Sequence, residues 1–566
     1  MSDFSKLVLA LTIATQSALA LPFISPQGVV SAASFASPSL PGGALAQGSI
    51  FSIFGRELGP GAGVQASEFP LPTELDDVSV TVTQGATVVD AIVLFVRLDQ
   101  INAIMPSNAP LGRVVVRVRV GAESSNGIPV AVVESNAGLF SVNSAGYGPG
   151  IVQNVADDGL RTLNSIYNSA KPGQILVLWG NGLGPVDGAD DVAPTPRDVS
   201  EEVEIYLGGV KATPEELLYA GRSGCCAGLD QFVVRVPASA PQGCYVPVEV
   251  RKGGLTSNAV TMAVAEDGGD CSDPGNPFGD VFLDPARTGV LMLFRFSQAG
   301  QIDRPERASS LGDYGVFISA QLAAAAAPLI LGDSDVKQGL LGRFFFSSFV
   351  SLPPPGTCLT GSANGLRLLD AESPARLSGA SSVRLDGAGG ARVIDFGDAD
   401  IQLIGGVSTG VDLAAAPYLR PGTYQASASA GGDVGEFGVD VAVPDLPSWE
   451  NRSEVVVIDR SQPLQLDWRL TGSADQLVGL VVLASTSGYP TTSTVVCLED
   501  GAVGTFAIPA RHLGRLPASG SRPYSGSGIV ILMAAPSGAP THFEADGLDQ
   551  GVALGVAAVG RPVVLE

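Results

Sequence analysis

The chain is poor in the residues that most chemistry needs. Its 566 residues include two histidines, His512 and His542, with 6% aromatic and 16% charged side chains. A serine triad would have to use one of those two imidazoles as its base. No lysine is followed by Ser or Thr, which excludes a Walker-type phosphate loop. Neither H-E-x-x-H nor a C-x₂-C pair occurs, so the common zinc signatures find no match. Beyond the first twenty residues no segment approaches twenty unbroken apolar positions, and no integral membrane segment is expected after that point. Basic residues number 32 against 56 acids, a net charge of −24. Nucleic-acid binding draws on clustered Lys and Arg, and no nucleic-acid partner is expected.

What is abundant is turn and strand material. Gly 71, Pro 40 and 45% apolar residues suit all-β modules with many turns, and the length allows three to five domains. The start reads as an export signal over 1–20. Lys6 precedes the apolar stretch Leu7 to Ala20, and Ala18-Leu19-Ala20 is a small-x-small cleavage site. The mature chain is expected from Leu21, secreted or at the cell surface or in the periplasm. Six cysteines, Cys225, Cys226, Cys244, Cys271, Cys358 and Cys497, fit that compartment as structural disulfides. A bond between adjacent cysteines is geometrically demanding. Cys225 and Cys226 are therefore expected to pair each with one of Cys244 and Cys271, and Cys358 with Cys497.

A thirteen-residue phrase occurs twice, 125 residues apart. Gly48 to Pro60 reads GSIFSIFGRELGP and Gly173 to Pro185 reads GQILVLWGNGLGP, with six identities. Asp99-Gln100 returns as Asp230-Gln231, and Ser125-Asn126 as Ser257-Asn258, in the same order. Each copy reads as strands. Val114, Val116, Val118 and Val120 alternate with Arg117 and Arg119, one face apolar and one wet. Val246, Val248 and Val250 alternate with Pro247 and Glu249, where the proline points to an edge strand or a bulge. Strands at this spacing predict tandem immunoglobulin-like β-sandwiches, one over 21–137 and one with the cysteine cluster over 138–270. A linker over 271–279 follows, around Pro274-Gly275-Asn276-Pro277, then β-rich lobes over 280–445 and 446–566. Only Ala320 to Ala327 has helical propensity.

Val29 to Ala265 resembles the repeat region of secreted proteins abundant in Acidobacteria, known by a Solibacter-type uncharacterised domain. The resemblance rests on Ala32-Ala33-Ser34-Phe35, Ser52-Ile53-Phe54-Gly55, Gln100-Ile101-Asn102, Ala137-Gly138-Leu139-Phe140, Gly180-Asn181-Gly182-Leu183-Gly184-Pro185 and Asp230-Gln231. The Cys225-Cys226 to Cys271 stretch resembles that group's cysteine-bearing variant, and G-x-x-L-G resembles the IPT/TIG type of immunoglobulin-like module. The resemblance implies an exported tandem architecture and no reaction. One departure is Val93 to Leu98, where a tyrosine and a serine would be expected before the Asp-Gln step.

No catalytic constellation is evident, and no cofactor is expected. Gly406-Val407-Ser408-Thr409-Gly410 matches G-x-S-x-G, but Pro417 leaves little room for the helix an elbow needs, so it reads as a turn. Calcium is the one ion the acidic runs Asp187-Gly188-Ala189-Asp190-Asp191 and Asp395 to Asp400 could take, although neither has EF-hand spacing. Trp449, near Pro447 in an expected linker, and Tyr219 are candidates for a sugar-stacking platform. Trp179 aligns with Phe54 in the repeat and is expected in the core. The sequence thus reads as a non-enzymatic exported binding or adhesion protein for an extracellular glycan or protein, acting through loops of β-sandwiches. The alternatives are a glycoside hydrolase with accessory modules, since a carboxylate pair is defined by distance in the fold, and a structural spacer or assembly subunit.

Overall fold

The computed structural model describes residues 21–273, 286–301, 304–322, 352–363, 382–395, 401–405, 418–471, 475–486, 492–519, 528–538 and 540–566. The expected signal, most of the linker and the G-x-S-x-G turn lie outside them. The described architecture is all-β, and its one α-helix there is the single turn Ala510–Leu513.

Each front module is a sandwich of two sheets. In the first, strands Phe23–Ser31, Ile50–Arg56, Gln100–Ile104, Ile92–Val96 and Val64–Gln65 lie in that order, facing a sheet centred on Gly112–Val120 between Ile128–Val133 and Val78–Gln84. The valine alternation explains the facing. Val114, Val116 and Val118 are buried in the core with Phe51 and Ile53, while Arg117 and Arg119 are exposed. The second module repeats the plan, with Val152–Val155, Ile175–Asn181, Asp230–Arg235 and Leu217–Arg222 over a sheet centred on Gly243–Lys252. Its core gathers Leu176, Leu178, Phe232, Val246, Val248 and Val250.

The recurring phrase has a steric reason. A Cβ on Gly55 would lie 2.0 Å from the Phe23 carbonyl oxygen, and one on Gly180 would lie 2.3 Å from that of Gly138. Only glycine lets the module's first strand approach so closely. The Ser-Asn repeat then fastens that strand. Asn126 accepts the Ile24 N–H (2.8 Å) and donates to the Ile24 carbonyl (3.0 Å), and Asn258 does the same with Leu139 at 2.8 Å each. Ser125 accepts from Val118 N–H and Ser257 from Val250 N–H, both at 2.9 Å.

Several expectations change. Pro247 does not mark an edge strand: Gly243–Lys252 is paired on both sides, by Val203–Leu207 and Val260–Val264. The proline is tolerated because Val203–Leu207 ends opposite Val248, and a register shift falls between Gly243 and Val246. Cys225 and Cys226 bond each other, and Cys244 bonds Cys271, so the expected crossed pairing is wrong. The Ser223–Leu229 turn folds back on itself, through Ser223 N–H to the Leu229 carbonyl, and holds the adjacent thiols together at its exposed tip. Cys358 pairs with Cys497, on directly opposed residues of neighbouring strands. Ala320 to Leu322 end the strand Arg304–Leu322 instead of beginning a helix, because ladder pairing with Ala286–Gln301 outweighs alanine's local preference.

The two expected C-terminal lobes share one ten-stranded sheet. Ala286–Gln301 runs parallel to Gln550–Leu565 over the eleven pairs from Thr288↔Gln550 to Gln298↔Gly560, so the boundary near 445 does not divide it. This region docks on the second module through charge. Glu249, expected on a wet face, is 2% exposed beneath the helix Ala510–Leu513. Arg511 Nε lies 3.3 Å and His512 Nδ1 3.2 Å from its carboxylate, and Arg515 donates to the Thr256 carbonyl at 2.7 Å. Burial alone would raise the Glu249 carboxyl, but His512 and Arg511 outweigh it and hold the group below the usual carboxylate range.

Two outcomes follow. Non-reducing peptide mapping will recover Cys225 and Cys226 on one peptide lighter by two hydrogens, and Cys244 cross-linked to Cys271; a Cys225–Cys244 or Cys226–Cys271 peptide would refute the pairing. Glu249→Ala, which leaves buried cations without their partner, will cost about 3–5 kcal/mol in urea unfolding of the full chain. Because the folded carboxyl titrates below its unfolded value, its contribution is present above the unfolded pKa and lost as pH falls through the folded one. Acid sensitivity will therefore be blunted in this variant.

Candidate functional site

The concave feature with converging polar groups is a cleft of about 510 Å³ at the junction of the front modules. Its wall is the loop from Leu183 to Arg197 and its floor is made by Arg222, Asp230 and Lys252. The loop follows the second copy of the repeat phrase, where Gly182 (φ +90°) and Gly184 (φ +122°) turn the chain out of strand Ile175–Asn181. Short contacts clamp it onto the first module. Asp190 accepts from the Ser107 N–H (2.7 Å) and hydroxyl (2.6 Å), Ser107 Oγ accepts the Val186 N–H (2.9 Å), and Leu71 N–H donates to the Asp191 carbonyl (2.7 Å). Part of the acidic run is thus a staple between modules. Asp187 pairs with Arg197 at 2.9 Å. Among the described residues no group of three or more His, Cys, Asp or Glu side chains could hold a metal ion; of the second run only Asp395 is described, at a strand end.

The floor is electrostatically closed. Arg222 and Asp230 are 5% and 1% exposed and lie 3.1 Å apart. Arg222 Nη2 donates to the Gly184 carbonyl (3.0 Å), Asp230 accepts the Leu183 N–H (2.8 Å), and Lys252 donates to the Leu183 carbonyl (2.8 Å) while pairing with Glu202 (3.0 Å). Burial pushes the Asp230 carboxyl up to about 6, with Arg222 and the Leu183 N–H pulling against it. Across the junction, Ala227 and Gly228, just past the Cys225–Cys226 bond, reach the first module; a Cβ on Gly228 would sit 2.7 Å from Ile50 Cγ1. Asn181 donates to the Ile50 carbonyl (2.8 Å), and Asn136 to those of Gly42 and Ala44 (2.7 Å each).

The expected platform residues part company. Trp449 is 7% exposed, packed with Trp468 and donating to Asn451 Oδ1 at 2.9 Å, because Ser448–Trp449 is a paired strand and no linker. It offers no ligand surface. Tyr219 is partly exposed on the outer face of the second module, its hydroxyl donating to the Arg222 carbonyl at 2.6 Å. Trp179, expected in the core, is on that same outer face: alternation sends Leu176 and Leu178 inward and Trp179 outward, where its indole N–H donates to Gln153 Oε1 at 3.1 Å. His512 is buried at the docking joint, with Nδ1 2.9 Å from Thr360 Oγ1, and His542 is exposed. The cleft floor was missed in the sequence. The Asp99-Gln100 and Asp230-Gln231 repeat was its one visible trace, and Asp99 forms only a surface pair with Arg97.

No family model matches the chain, and no curated protein does. Among solved structures it is similar to domains 5–6 of the S-layer protein SbsC (13% identity, TM-score 0.16), covering 43% of this chain and 99% of that one. It is also similar to domains 4–9 of surface layer protein SbsC (12% identity, TM-score 0.15), covering 94% of this chain and 65% of that one. A third is the native conformation of E. coli alpha-2-macroglobulin (10% identity, TM-score 0.12), covering 90% of this chain and 28% of that one. Among the described residues no helix is long and apolar enough to cross a membrane.

Asp230 gives a measurable pH signature. Its folded pKa lies above its unfolded value, so its contribution is complete below the unfolded pKa and is lost as pH rises through about 6. The loss will amount to about 3 kcal/mol, and urea midpoints between pH 4 and pH 7 will show it. Asp230→Asn will flatten that window; identical slopes in both proteins would remove Asp230 as the cause.

Proposed function

We propose that the chain is an extracellular, non-enzymatic binding protein whose two locked front modules form the recognition unit, and that its ligand is a glycan. The carrying observation is the cleft at their junction. Its walls offer backbone carbonyls, prolines and apolar side chains, and its principal charges are already paired within the protein. Such a surface can exchange hydrogen bonds with hydroxyl groups without demanding a counter-charge. The Asp230 carboxyl, raised as a catalytic acid would be, lies beneath the wall against Arg222 and Leu183, shielded from a substrate oxygen. Three disulfides support an oxidising compartment, and the resemblance to Solibacter-type secreted proteins points the same way.

A glycan array probed with oxidised full-length protein and with Ala193→Trp, which places an indole in the cleft mouth, tests this reading. Saturable binding by the native chain, weakened about tenfold or more by the variant, is the expected result. Binding untouched by Ala193→Trp would remove the cleft from the account. An array blank for both would turn the reading toward a protein ligand.

A further inference from the structure

Three disulfides cross-link this chain, and one of them closes no loop. Cys244–Cys271 and Cys358–Cys497 span 27 and 139 residues, whereas Cys225 and Cys226 are neighbours. A cross-link stabilises mainly by shortening the loops open to the unfolded chain, so a bond between adjacent residues contributes little by that route. Exposure separates the three as well. Cys244, Cys358 and Cys497 are buried and Cys271 is half-buried, while Cys225 and Cys226 are both exposed. Thiol–disulfide exchange needs a thiolate to reach a sulfur, and exposed bonds are the labile ones. On both counts the adjacent pair is the one suited to being opened in the folded protein.

What that bond holds is one side of the cleft. The turn it caps runs between Arg222 and Asp230, which stand opposite each other in the strand register and form the ion pair of the floor at 3.1 Å. Within the turn, Ser223 N–H donates to the Leu229 carbonyl (3.0 Å) and Leu229 N–H to that of Cys226 (3.3 Å). The Ser223 hydroxyl also donates to the Cys226 carbonyl (3.2 Å) and lies 3.6 Å from Cys225 Sγ. The Cys226 carbonyl is thus the turn's central acceptor, and the ring closed through the two sulfurs keeps Cys226 from rotating away. Ala227 and Gly228 follow directly. Both line the cleft, and Ala227 also packs on the first module's apolar cluster of Leu71, Ile92 and Ile104. Gly228 has φ +74°, and a Cβ there would lie 2.7 Å from Ile50 Cγ1 and 3.1 Å from Ile104 Cγ1, so the seat is tight and depends on the turn keeping its shape.

We propose that Cys225–Cys226 is a thiol-exchange site that controls the cleft: the closed bond holds the turn against the first module, and a dithiol reductant releases it. The proposal deepens the reading of the cleft as the recognition site and rests on that reading for its ligand. One thiolate of the dithiol attacks Cys226 Sγ and forms a mixed disulfide, while the electron pair of the Cys225–Cys226 bond leaves on Cys225 Sγ. The Ser223 hydroxyl, 3.6 Å away, then turns its proton toward that thiolate. The second thiolate of the reductant attacks the reductant's own sulfur in the mixed disulfide and expels Cys226 as a thiolate. The reductant ends as a disulfide, and its two protons pass through solvent to the two cysteines. As the ring opens, the Cys226 carbonyl loses the Ser223 hydroxyl, one of its two donors. The seat of Ala227 and Gly228 loosens with it, and the floor pair Arg222–Asp230 at the ends of the turn is opened to water.

Graded reduction of the native full chain with dithiothreitol, followed by iodoacetamide and peptide mapping, tests the site, and hydrogen exchange tests its hold on the cleft. Cys225 and Cys226 are expected to become alkylated at about tenfold less reductant than the other four cysteines. In the selectively alkylated protein, exchange in peptides carrying the Leu183, Val186, Ser223 and Leu229 amides will quicken about tenfold or more, while strand Gly112–Val120 keeps its protection. The double variant Cys225→Ser/Cys226→Ser, which retains both long-range bonds, will show the same quickened exchange without reductant. Any glycan that the oxidised chain binds will bind both loosened proteins about tenfold more weakly. Alkylation of all six cysteines together, or of the other four first, would overturn the exchange site. Unchanged exchange at those amides in the selectively alkylated protein and in the double variant would overturn its control of the cleft, as would undiminished glycan binding by both. Quickened exchange with an array blank for the oxidised chain would uphold the exchange site and count against the glycan reading alone.

Discussion

The front half of this chain depends on a side-chain amide standing in for a strand. Asn126 and Asn258 each present an acceptor and a donor to one residue of the module's first strand, as a neighbouring backbone would. The strand ends would otherwise leave a buried N–H and C=O without partners, a cost of about 1–3 kcal/mol for each orphaned group. Gly55 and Gly180 make the approach sterically open on the other side. With the start of each sandwich fixed in this way, the short connection from Val133 to Gly138 cannot swing freely. Asn136 and Asn181 close it further by donating to carbonyls of the first module. The cleft exists because that junction is held.

Two copies built on one plan have then been put to different uses. Asp99 pairs with Arg97 in water, where such a pair contributes little, whereas Asp230 pairs with Arg222 under the cleft, where desolvation dominates. The outward position shared by Phe54 and Trp179 changes its chemistry and not its exposure, for both side chains are half-buried. The Ala227-Gly228 turn, seated on Ile50 and Ile104, shows what covers the near end of the first module's face.

Local patterns carried much of the fold. The valine alternation of 114–120 places its core face correctly, and the phrase GSIFSIFGRELGP with its echo marks the equivalent strands because steric and hydrogen-bonding needs recur at the same positions. What escaped depends on partners distant in sequence. Glu249 lies in a strand whose odd positions read as wet, and it is buried because Arg511 and His512 arrive from 262 and 263 residues further on. Trp449 reads as exposed beside Pro447, yet Trp468 pairs with it. Trp179 is legible in principle: the alternation that buries Leu176 and Leu178 already turns it outward, and its alignment with Phe54 is no core signal, because Phe54 itself faces outward beside Phe35.

Asp230 and Glu249, the two fully buried carboxylates among the described residues, show why burial alone does not set a residue's role. Asp230 and Glu249 are both desolvated, and both face cations. Asp230 meets one guanidinium and one backbone N–H, and burial prevails; Glu249 meets Arg511 and His512 together, and the positive charge prevails. The opposite directions give the molecule two joints with opposite pH responses, the cleft floor favoured by acid and the C-terminal dock favoured above the carboxylate range. A protein so acidic gains repulsion among its surface charges as pH rises. The joint that spans separate regions of the chain keeps its attraction under those conditions through the Arg511 guanidinium, which stays charged.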